Sequence, residues 1–238
     1  MGRDGRTEIV LIAAVKGIDE LSDATLPAAE QTRADAIARS LRRRQFVAGR
    51  MLLRTMLAQV LGGRPEDWAV DAEAGAPPRL PSHPHLHLSV SHSGEWVAAA
   101  IADRPVGIDL EGLGARRDPE RFARWVCSPD ELAAWRGLAG TDADDALIAH
   151  WTRKEAWLKR EGGEVLLTRM HRLHAESREA PAADVATWRV GEVAMLSLCA
   201  TDVAESVVTT ASAADLRALG TFRMTDLGEA APSRRRSA

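Results

Sequence analysis

Cysteine is scarce in this sequence: 238 residues hold two thiols, Cys127 and Cys199. They stand far apart and outside any metal-type spacing, which excludes a disulfide framework and leaves two structural thiols suited to a reducing cytoplasm. Long apolar runs are lacking as well. No stretch approaches the ~18 residues that a spanning helix needs. The short run Ile9 to Val15 follows the acidic Glu8 and has no small-residue cleavage pattern, so it is expected as a strand and not as an export signal. An excess of charge is also missing: 31 lysines and arginines against 34 acidic residues leave a net charge of −3. No global field therefore favours nucleic acid or an anionic membrane, and any anion site must be local. No G-x-x-x-x-G-K-[ST] loop occurs, which counts against the commonest nucleotide phosphotransferases.

What is present is ordinary globular material, 45% hydrophobic and 27% charged, long enough for one large domain or two packed halves of roughly 100 residues each. Periodicity predicts a strand over Glu8 to Val15 and a helical region from Arg33 to Leu61 ended by Gly62-Gly63. Short extended segments follow at Trp68 to Asp71, His85 to Ser91, Trp96 to Ala102 and Val106 to Glu111, with turns at Gly75 to Pro78, Ser93-Gly94 and Arg104-Pro105. Helices are expected over Glu120 to Val126, Pro129 to Leu138 and Asp144 to Arg160, the last stopped by Gly162-Gly163. Strands are expected near Thr187 to Val190, Ala194 to Ala200 and Ser206 to Ala211. The order is α+β, and each half offers a long helix with several short strands. The expected organisation is an N-terminal lobe over 1–105 and a C-terminal lobe over 106–227, closely packed, followed by a disordered tail over 228–238.

Four segments can carry chemistry. In Val106-Gly107-Ile108-Asp109-Leu110-Glu111 the strand alternation sends Asp109 and Glu111 to one face, where two carboxylates can seat a hard cation such as Mg²⁺ that also grips phosphate; the alternative is an acidic outer face of a half-exposed strand. On the later helix, Glu155 falls within an apolar stripe of Ile148, Trp151 and Leu158. An ion would explain a carboxylate there, and a surface pair with Lys159 one turn on is the alternative. Ser89 to Trp96 sets hydroxyls, His92 and a glycine turn between two apolar strands, either a phosphate-binding turn or a plain hairpin. The alternating His83, His85 and His87, with two prolines among them and no cysteine nearby, make a poor zinc site. Finally, Arg33, Arg39, Arg42, Arg43, Arg44, Arg50 and Arg54 line a basic helical region that can hold a phosphorylated ligand or simply form a solvated face.

The order of these elements is more specific than any one of them. R-x-F-x-x-G-R-x-L-L-R character over Arg44 to Arg54, S-x-S-H-S-G at Ser89 to Gly94, G-I-D-L-E at Gly107 to Glu111 and W-x-x-K-E-A-x-x-K at Trp151 to Lys159 together resemble the Sfp-type 4'-phosphopantetheinyl transferases. The resemblance runs from Arg33 to Gly163. It implies an α+β pseudodimer of two similar lobes, each a long helix packed on a small, mainly antiparallel sheet, with coenzyme A in the cleft between them. By the same likeness Asp109, Glu111 and Glu155 hold Mg²⁺ and Ser91 and His92 belong to the phosphate-binding turn. Arg33 and Arg44 face the 3'-phosphate, while Lys154 and Lys159 also contact coenzyme A, Lys159 beside the reacting phosphate. Glu131, in the S-x-x-E element after Cys127, is the implied base, with an ordinary helix-start carboxylate as the alternative.

The implied reaction moves 4'-phosphopantetheine from coenzyme A to a serine of an apo acyl or peptidyl carrier protein and releases 3',5'-ADP. The expected partners are therefore coenzyme A and a carrier protein, without nucleic acid or membrane, for a cytoplasmic monomer. Two departures stand out: Gly75-Ala76-Pro77 lacks the Lys or Arg common between the glycine and proline, a contact that Arg79 can replace, and Trp125-Val126-Cys127 replaces a more usual aromatic pair. Rival readings are a Mg²⁺-dependent nucleotide phosphotransferase or hydrolase, and an inactive coenzyme A or carrier-protein binding module.

Overall fold

The computed structural model describes residues 12–21, 26–71, 76–162, 170–179, 181–210 and 216–227. The tail expected over 228–238 and the first part of the expected N-terminal strand lie outside the described residues. Within them the α+β expectation holds: five α-helices accompany two sheets.

The first sheet takes β1 (Ile12–Gly17), β2 (His87–Ser93), β3 (Trp96–Ala102) and β8 (Val207–Thr210) in the order β2-β3-β1-β8. Its pairs are antiparallel except β1 with β8, which are parallel. The second sheet is wholly antiparallel and runs β4-β7-β6-β9-β5, from β4 (Val106–Gly112), β5 (Leu173–Ser177), β6 (Val185–Val190), β7 (Ala194–Ala200) and β9 (Leu216–Asp226). The helices are α1 (Ala28–Asp35), α2 (Ser40–Leu61), α3 (Pro119–Val126), α4 (Pro129–Trp135) and α5 (Gly140–Glu161). No helix among the described residues is long and apolar enough to cross a membrane.

Alternating side chains sort these elements into layers. Val15, Ala98, Ala100 and Ala102 of the first sheet pack on Ile108, Leu110, Leu196 and Leu198 of the second. Alanines on the β3 face keep that contact thin. The opposite face of β3, with Val97, Ala99 and Ile101, is covered by Leu52, Leu53, Met56 and Leu57 of α2. On the outer side of the second sheet, Ala156 and Leu158 of α5 meet Val185 and Cys199. Each fully buried leucine contributes about 1.5–3 kcal/mol of apolar burial, so α2 and α5 are held by their apolar faces and not by propensity alone.

Two glycines set how closely the helices approach. A Cβ on Gly107 would stand 1.9 Å from the Ala156 carbonyl oxygen and 2.6 Å from the Arg160 amide nitrogen. Only a residue without a side chain lets α5 lie directly on β4 there. A Cβ on Gly49 would meet Val90 at 3.0 Å, a milder version of the same close approach of α2 to β2.

The expected helix over Arg33 to Leu61 is two helices, because Arg39 adopts an extended conformation ahead of α2. Trp68 to Asp71 is not a strand; Asp71 makes an isolated bridge to Arg79. The sequence reading found neither β5 nor β9. In β9 the pairing jumps from Gly220 opposite Thr187 to Ala218 opposite Trp188, leaving Leu219 as a bulge that breaks the period-2 pattern.

Candidate active site

Three serines of β2 stitch the two sheets together along the free edge of β4. Ser89, Ser91 and Ser93 point the same way, and their hydroxyls accept from the backbone N–H groups of Ile108 (3.1 Å), Leu110 (3.1 Å) and Gly112 (2.9 Å). An edge strand with unpaired amides is thereby satisfied without strand pairing. The alternate residues Leu88 and Val90 face α2, which sends His92 to that side as well.

On the α5 side of β4, the Gly107 contact brings Glu155 and Lys159 over Asp109. Asp109 is buried; its Oδ1 accepts from Ser91 Oγ at 2.8 Å and from Lys159 Nζ at 2.6 Å. Lys159 also donates to Ser91 Oγ at 3.1 Å. Glu111, two residues along, accepts from Ser93 Oγ at 3.2 Å and from Trp151 Nε1 at 3.2 Å. Burial, then the neighbouring Asp109, pushes the Glu111 carboxyl up. The same forces act more strongly on Glu155: burial, then Asp109 and Glu111 against the opposing Lys159, push it from 4.5 to about 7. Three carboxylates are thus close enough to repel one another, with a single ammonium among them.

No group of three or more His, Cys, Asp or Glu side chains among the described residues is close enough to hold a metal ion. The donor set nevertheless has the chemistry for one. Asp109 Oδ2 is buried and has no hydrogen-bond partner among the described residues, and a buried carboxylate oxygen without a partner is costly unless a cation meets it. Asp109, Glu111 and Glu155 are the oxygen donors a hard divalent cation takes.

Beside the carboxylates opens a cleft of about 450 Å³, floored by His92, Glu155 and Lys159 and walled by Arg33, Arg42 and Phe46. Burial, then the positive charges of Arg42 and Lys159, lowers His92 from 6.5 to about 4, so the imidazole is neutral at pH 7. Arg33 lies over the Phe46 ring at 5.4 Å and Arg50 at 5.2 Å. One end is cationic with an aromatic ring, the other anionic with a lysine.

Of the residues singled out from sequence, Arg33, Ser91, His92, Asp109, Glu111, Glu155 and Lys159 converge on this region. Three do not. Arg44 points away from the cleft: it is half-exposed and pairs with Asp19 and with Glu95 at 3.0 Å. Residues two positions apart in a helix lie about 200° apart around its axis, so the face that presents Arg42 to the cleft turns Arg44 from it. Lys154 is fully buried and donates to the Val126 carbonyl (2.6 Å), to Glu131 (2.5 Å) and to the Met170 carbonyl (3.2 Å). It is closed to any ligand. Glu131 is equally enclosed, accepting from the Ser128 and Ala175 amides at 2.8 and 2.9 Å besides Lys154. Burial alone raises this carboxyl, but His150 and Lys154 outweigh it and hold it well below the usual carboxylate range. Ser91 does reach the site, as a strut beneath Asp109 and Lys159 and not as part of the cleft wall.

Over residues 105–211, the stretch holding β4 and α5, the sequence matches the family described as the 4'-phosphopantetheinyl transferase superfamily. The chain is 34% identical over 143 residues to the 4'-phosphopantetheinyl transferase HetI of Nostoc sp., covering 58% of this chain and 60% of that one. With a 4'-phosphopantetheinyl transferase of Bacillus subtilis it shares 29% identity over 114 residues, 48% of this chain and 50% of the other. With Sfp of Bacillus subtilis strain 168 it shares 25% over 162 residues, 64% and 71% of the two chains. The chain spans about half to three-fifths of the length of the first two relatives.

Arg42, Ser89, Ser93 and Trp151 carry parts of the site, although the sequence reading named them only within longer segments and gave none an individual role. Arg42, Phe46 and Gly49 stand at i, i+4 and i+7, so a helical-face reading of α2 would have picked out Arg42. The alternation Ser89, Ser91, Ser93 was equally available. Ala76 lines the cleft, while Arg79 is not among its lining residues, so it does not replace the absent cation there.

Proposed function

We propose that this protein transfers the 4'-phosphopantetheine arm of coenzyme A to a serine of an apo acyl or peptidyl carrier protein, releasing 3',5'-ADP. The observation that carries the reading is the meeting of Asp109, Glu111, Glu155 and Lys159 at the mouth of a cleft whose other wall is cationic and aromatic. In it, Arg33, Arg42 and the Phe46 ring take the phosphorylated nucleotide end of coenzyme A, arginine matching phosphate oxygens by its planar fork. His92 stands ready as a neutral donor or acceptor. Asp109, Glu111 and Glu155 would hold Mg²⁺, Asp109 through the Oδ2 that has no partner among the described residues, and the ion would supply positive charge against the pyrophosphate oxygens. Lys159, whose Nζ lies 2.6 Å from Asp109 Oδ1, reaches the same phosphates as a second positive charge.

In the reaction, the serine hydroxyl oxygen forms a bond to the β-phosphorus of coenzyme A while the bond from that phosphorus to the bridging oxygen breaks, the electron pair leaving on 3',5'-ADP. Positioning and charge stabilisation supply most of the catalysis in such transfers. The serine proton needs an acceptor with affinity near neutral pH. A cation held by Asp109, Glu111 and Glu155 would lower the proton affinity of Glu155 from its ion-free value of about 7, so the proton passes to solvent; Glu131, held well below the usual carboxylate range and enclosed by Lys154, does not take it, and Glu131 and Lys154 act as structural supports in this reading. Lobes over 1–105 and 106–227 belong to the same proposal, with β8 lent from the second to the sheet of the first. A monomer suffices, since both walls of the cleft come from one chain.

The test incubates the purified protein with coenzyme A, Mg²⁺ and an apo carrier protein and weighs the carrier by mass spectrometry. A gain of one phosphopantetheine on the carrier serine is the expected result. Coenzyme A hydrolysis without that gain, or tight binding with neither, refutes it.

A further inference from the structure

Glu30 has no part in the reading above, yet it stands behind the cationic wall of the cleft. Phe46, Arg50 and Arg54 follow one another at i, i+4 and i+8 along one face of α2. Phe46 and Arg50 line the cleft, while Arg54 is enclosed and donates from Nε to the Trp68 carbonyl at 2.8 Å. Against this row lies α1, with Arg33 over the Phe46 ring at 5.4 Å and Glu30, one turn earlier, beside the other two arginines. Glu30 Oε2 is 2.8 Å from Arg54 Nη2, and Glu30 Oε1 is 3.8 Å from Arg50 Nε. Neither Glu30 oxygen has a hydrogen-bond partner among the described residues, so charge and not donor direction makes this attachment.

Helix α1 has little else to hold it. Its eight residues, Ala28 to Asp35, include no apolar side chain larger than alanine, and a helix of that length is marginal in water on its own. Ala34 is buried, as is Leu26 just ahead of the helix. Asp35 stands 3.8 Å from Arg43, but both side chains are about half-exposed, and surface pairs of that kind contribute little. The arginines meanwhile repel one another. Burial pulls the Arg50 guanidinium below its ordinary value; Glu30 is the strongest opposing influence, against Arg33 and Arg54, with a smaller share from Asp71. A buried ion pair adds little net stability over an apolar contact of the same volume, so stability alone does not account for a carboxylate at this position.

We propose that Glu30 is a positioning residue for the nucleotide end of coenzyme A: by tying α1 to Arg50 and Arg54 it keeps Arg33 at the wall of the cleft. The identity of the ligand rests on the transfer reading. Glu30 itself touches no ligand; a phosphate bound at that wall meets Arg33, and Glu30 sets where Arg33 stands. Without the carboxylate, Arg33, Arg50 and Arg54 are left as like charges at close quarters. Leu52, Leu53, Met56 and Leu57 fix α2 against the first sheet, so α1 is the element that yields, and Arg33 goes with it.

The test measures binding of 3',5'-ADP by isothermal titration calorimetry and steady-state transfer from coenzyme A to an apo acyl carrier protein. It compares wild type, Glu30→Gln, Glu30→Asp, Arg33→Ala and the double variant Glu30→Gln/Arg33→Ala. For Glu30→Gln the expected result is a Kd for 3',5'-ADP weaker by about tenfold or more, misplacement of a binding group by about 1 Å being enough for such a loss. KM for coenzyme A rises in step, with kcat and the carrier KM unchanged. Glu30→Asp keeps the charge one methylene farther from Arg54 and falls between; it carries the same comparisons, alone and with Arg33→Ala, should Glu30→Gln not fold. The double variant binds no more weakly than Arg33→Ala, because a residue acting only through Arg33 has nothing further to lose. Unchanged Kd and KM in the folded Glu30 variants, or losses that add in the double variant, overturn the proposal and leave the function standing. Wild type that binds 3',5'-ADP with the expected dependence on Glu30 but transfers nothing contradicts the function and supports the positioning role. Wild type that does not bind 3',5'-ADP overturns both.

Discussion

Glu131 and Glu155 are two buried-side carboxylates driven in opposite directions by their surroundings. Burial alone raises Glu131, but His150 and Lys154 outweigh it, and its proton affinity falls. Glu155 is desolvated by burial and gains two like charges, and its proton affinity rises to about 7. The consequences for stability have opposite sign. Glu131 binds its proton less readily when folded, so its contribution is present above the ordinary carboxylate value and is lost as the pH falls below it. Removing one partner of a buried pair costs about 3–5 kcal/mol, so Glu131→Gln or Lys154→Met is expected to lose that much in urea unfolding. Material that stays folded should keep its affinity for coenzyme A, whereas a role for Lys154 in the cleft would abolish it. The folded chain instead retains the Glu155 proton between 4.5 and about 7, so this residue lowers the stability of the metal-free protein as the pH rises through that window. Thermal melts without metal should therefore show Glu155→Gln gaining on wild type from pH 5 to pH 8 and showing no further gain above; parallel pH curves for the two proteins would contradict the assignment. His92 offers a third check. Its low value is set by burial, Arg42 and Lys159, so a phosphate-bearing ligand that offsets those charges should raise it, visible as an upward shift of the imidazole titration in nuclear magnetic resonance when 3',5'-ADP is added.

At the scale of elements, the site depends on α5 lying on β4 at the distance Gly107 allows. Gly107→Ala forces a Cβ into the Ala156 carbonyl and the Arg160 amide, both backbone groups that cannot turn aside. Overpacking of this kind costs about 1–3 kcal/mol, and it lifts Glu155 and Lys159 from Asp109 in the same movement. The variant should melt lower and lose transfer far out of proportion to its lost stability; the same substitution at Gly49, where Val90 can yield, should be the milder of the two. The sequence was informative where an element carries its own pattern. The alternation of Val106 to Glu111 and the glycine stops after α2 and α5 were readable because local geometry dictates them. What it withheld depended on partners distant in the chain: β9 is disguised by its bulge at Leu219, and the buried pair of Lys154 with Glu131 exists only once α4 and α5 meet. Lys154 and Glu155 are adjacent in sequence yet face opposite surroundings, which no motif spelling distinguishes.

At the scale of the whole molecule, two sheets share a thin inner layer and carry one 22-residue helix each on their outer faces. The α+β class was legible from element order. The seam between the sheets was not, because S-x-S-x-S reads as a polar turn until the amides of Ile108, Leu110 and Gly112 are seen to need acceptors. That seam fixes the cationic wall of α2 relative to the carboxylates of β4 and α5, so it makes one site from two halves. The central claim is that those carboxylates take a single divalent ion in company with the nucleotide cleft. Electron paramagnetic resonance titration of Mn²⁺ into the protein with 3',5'-ADP tests it most directly: one bound ion per chain in wild type, lost in Asp109→Ala and in Glu155→Ala, is the predicted result, and undiminished Mn²⁺ binding in those variants would contradict it.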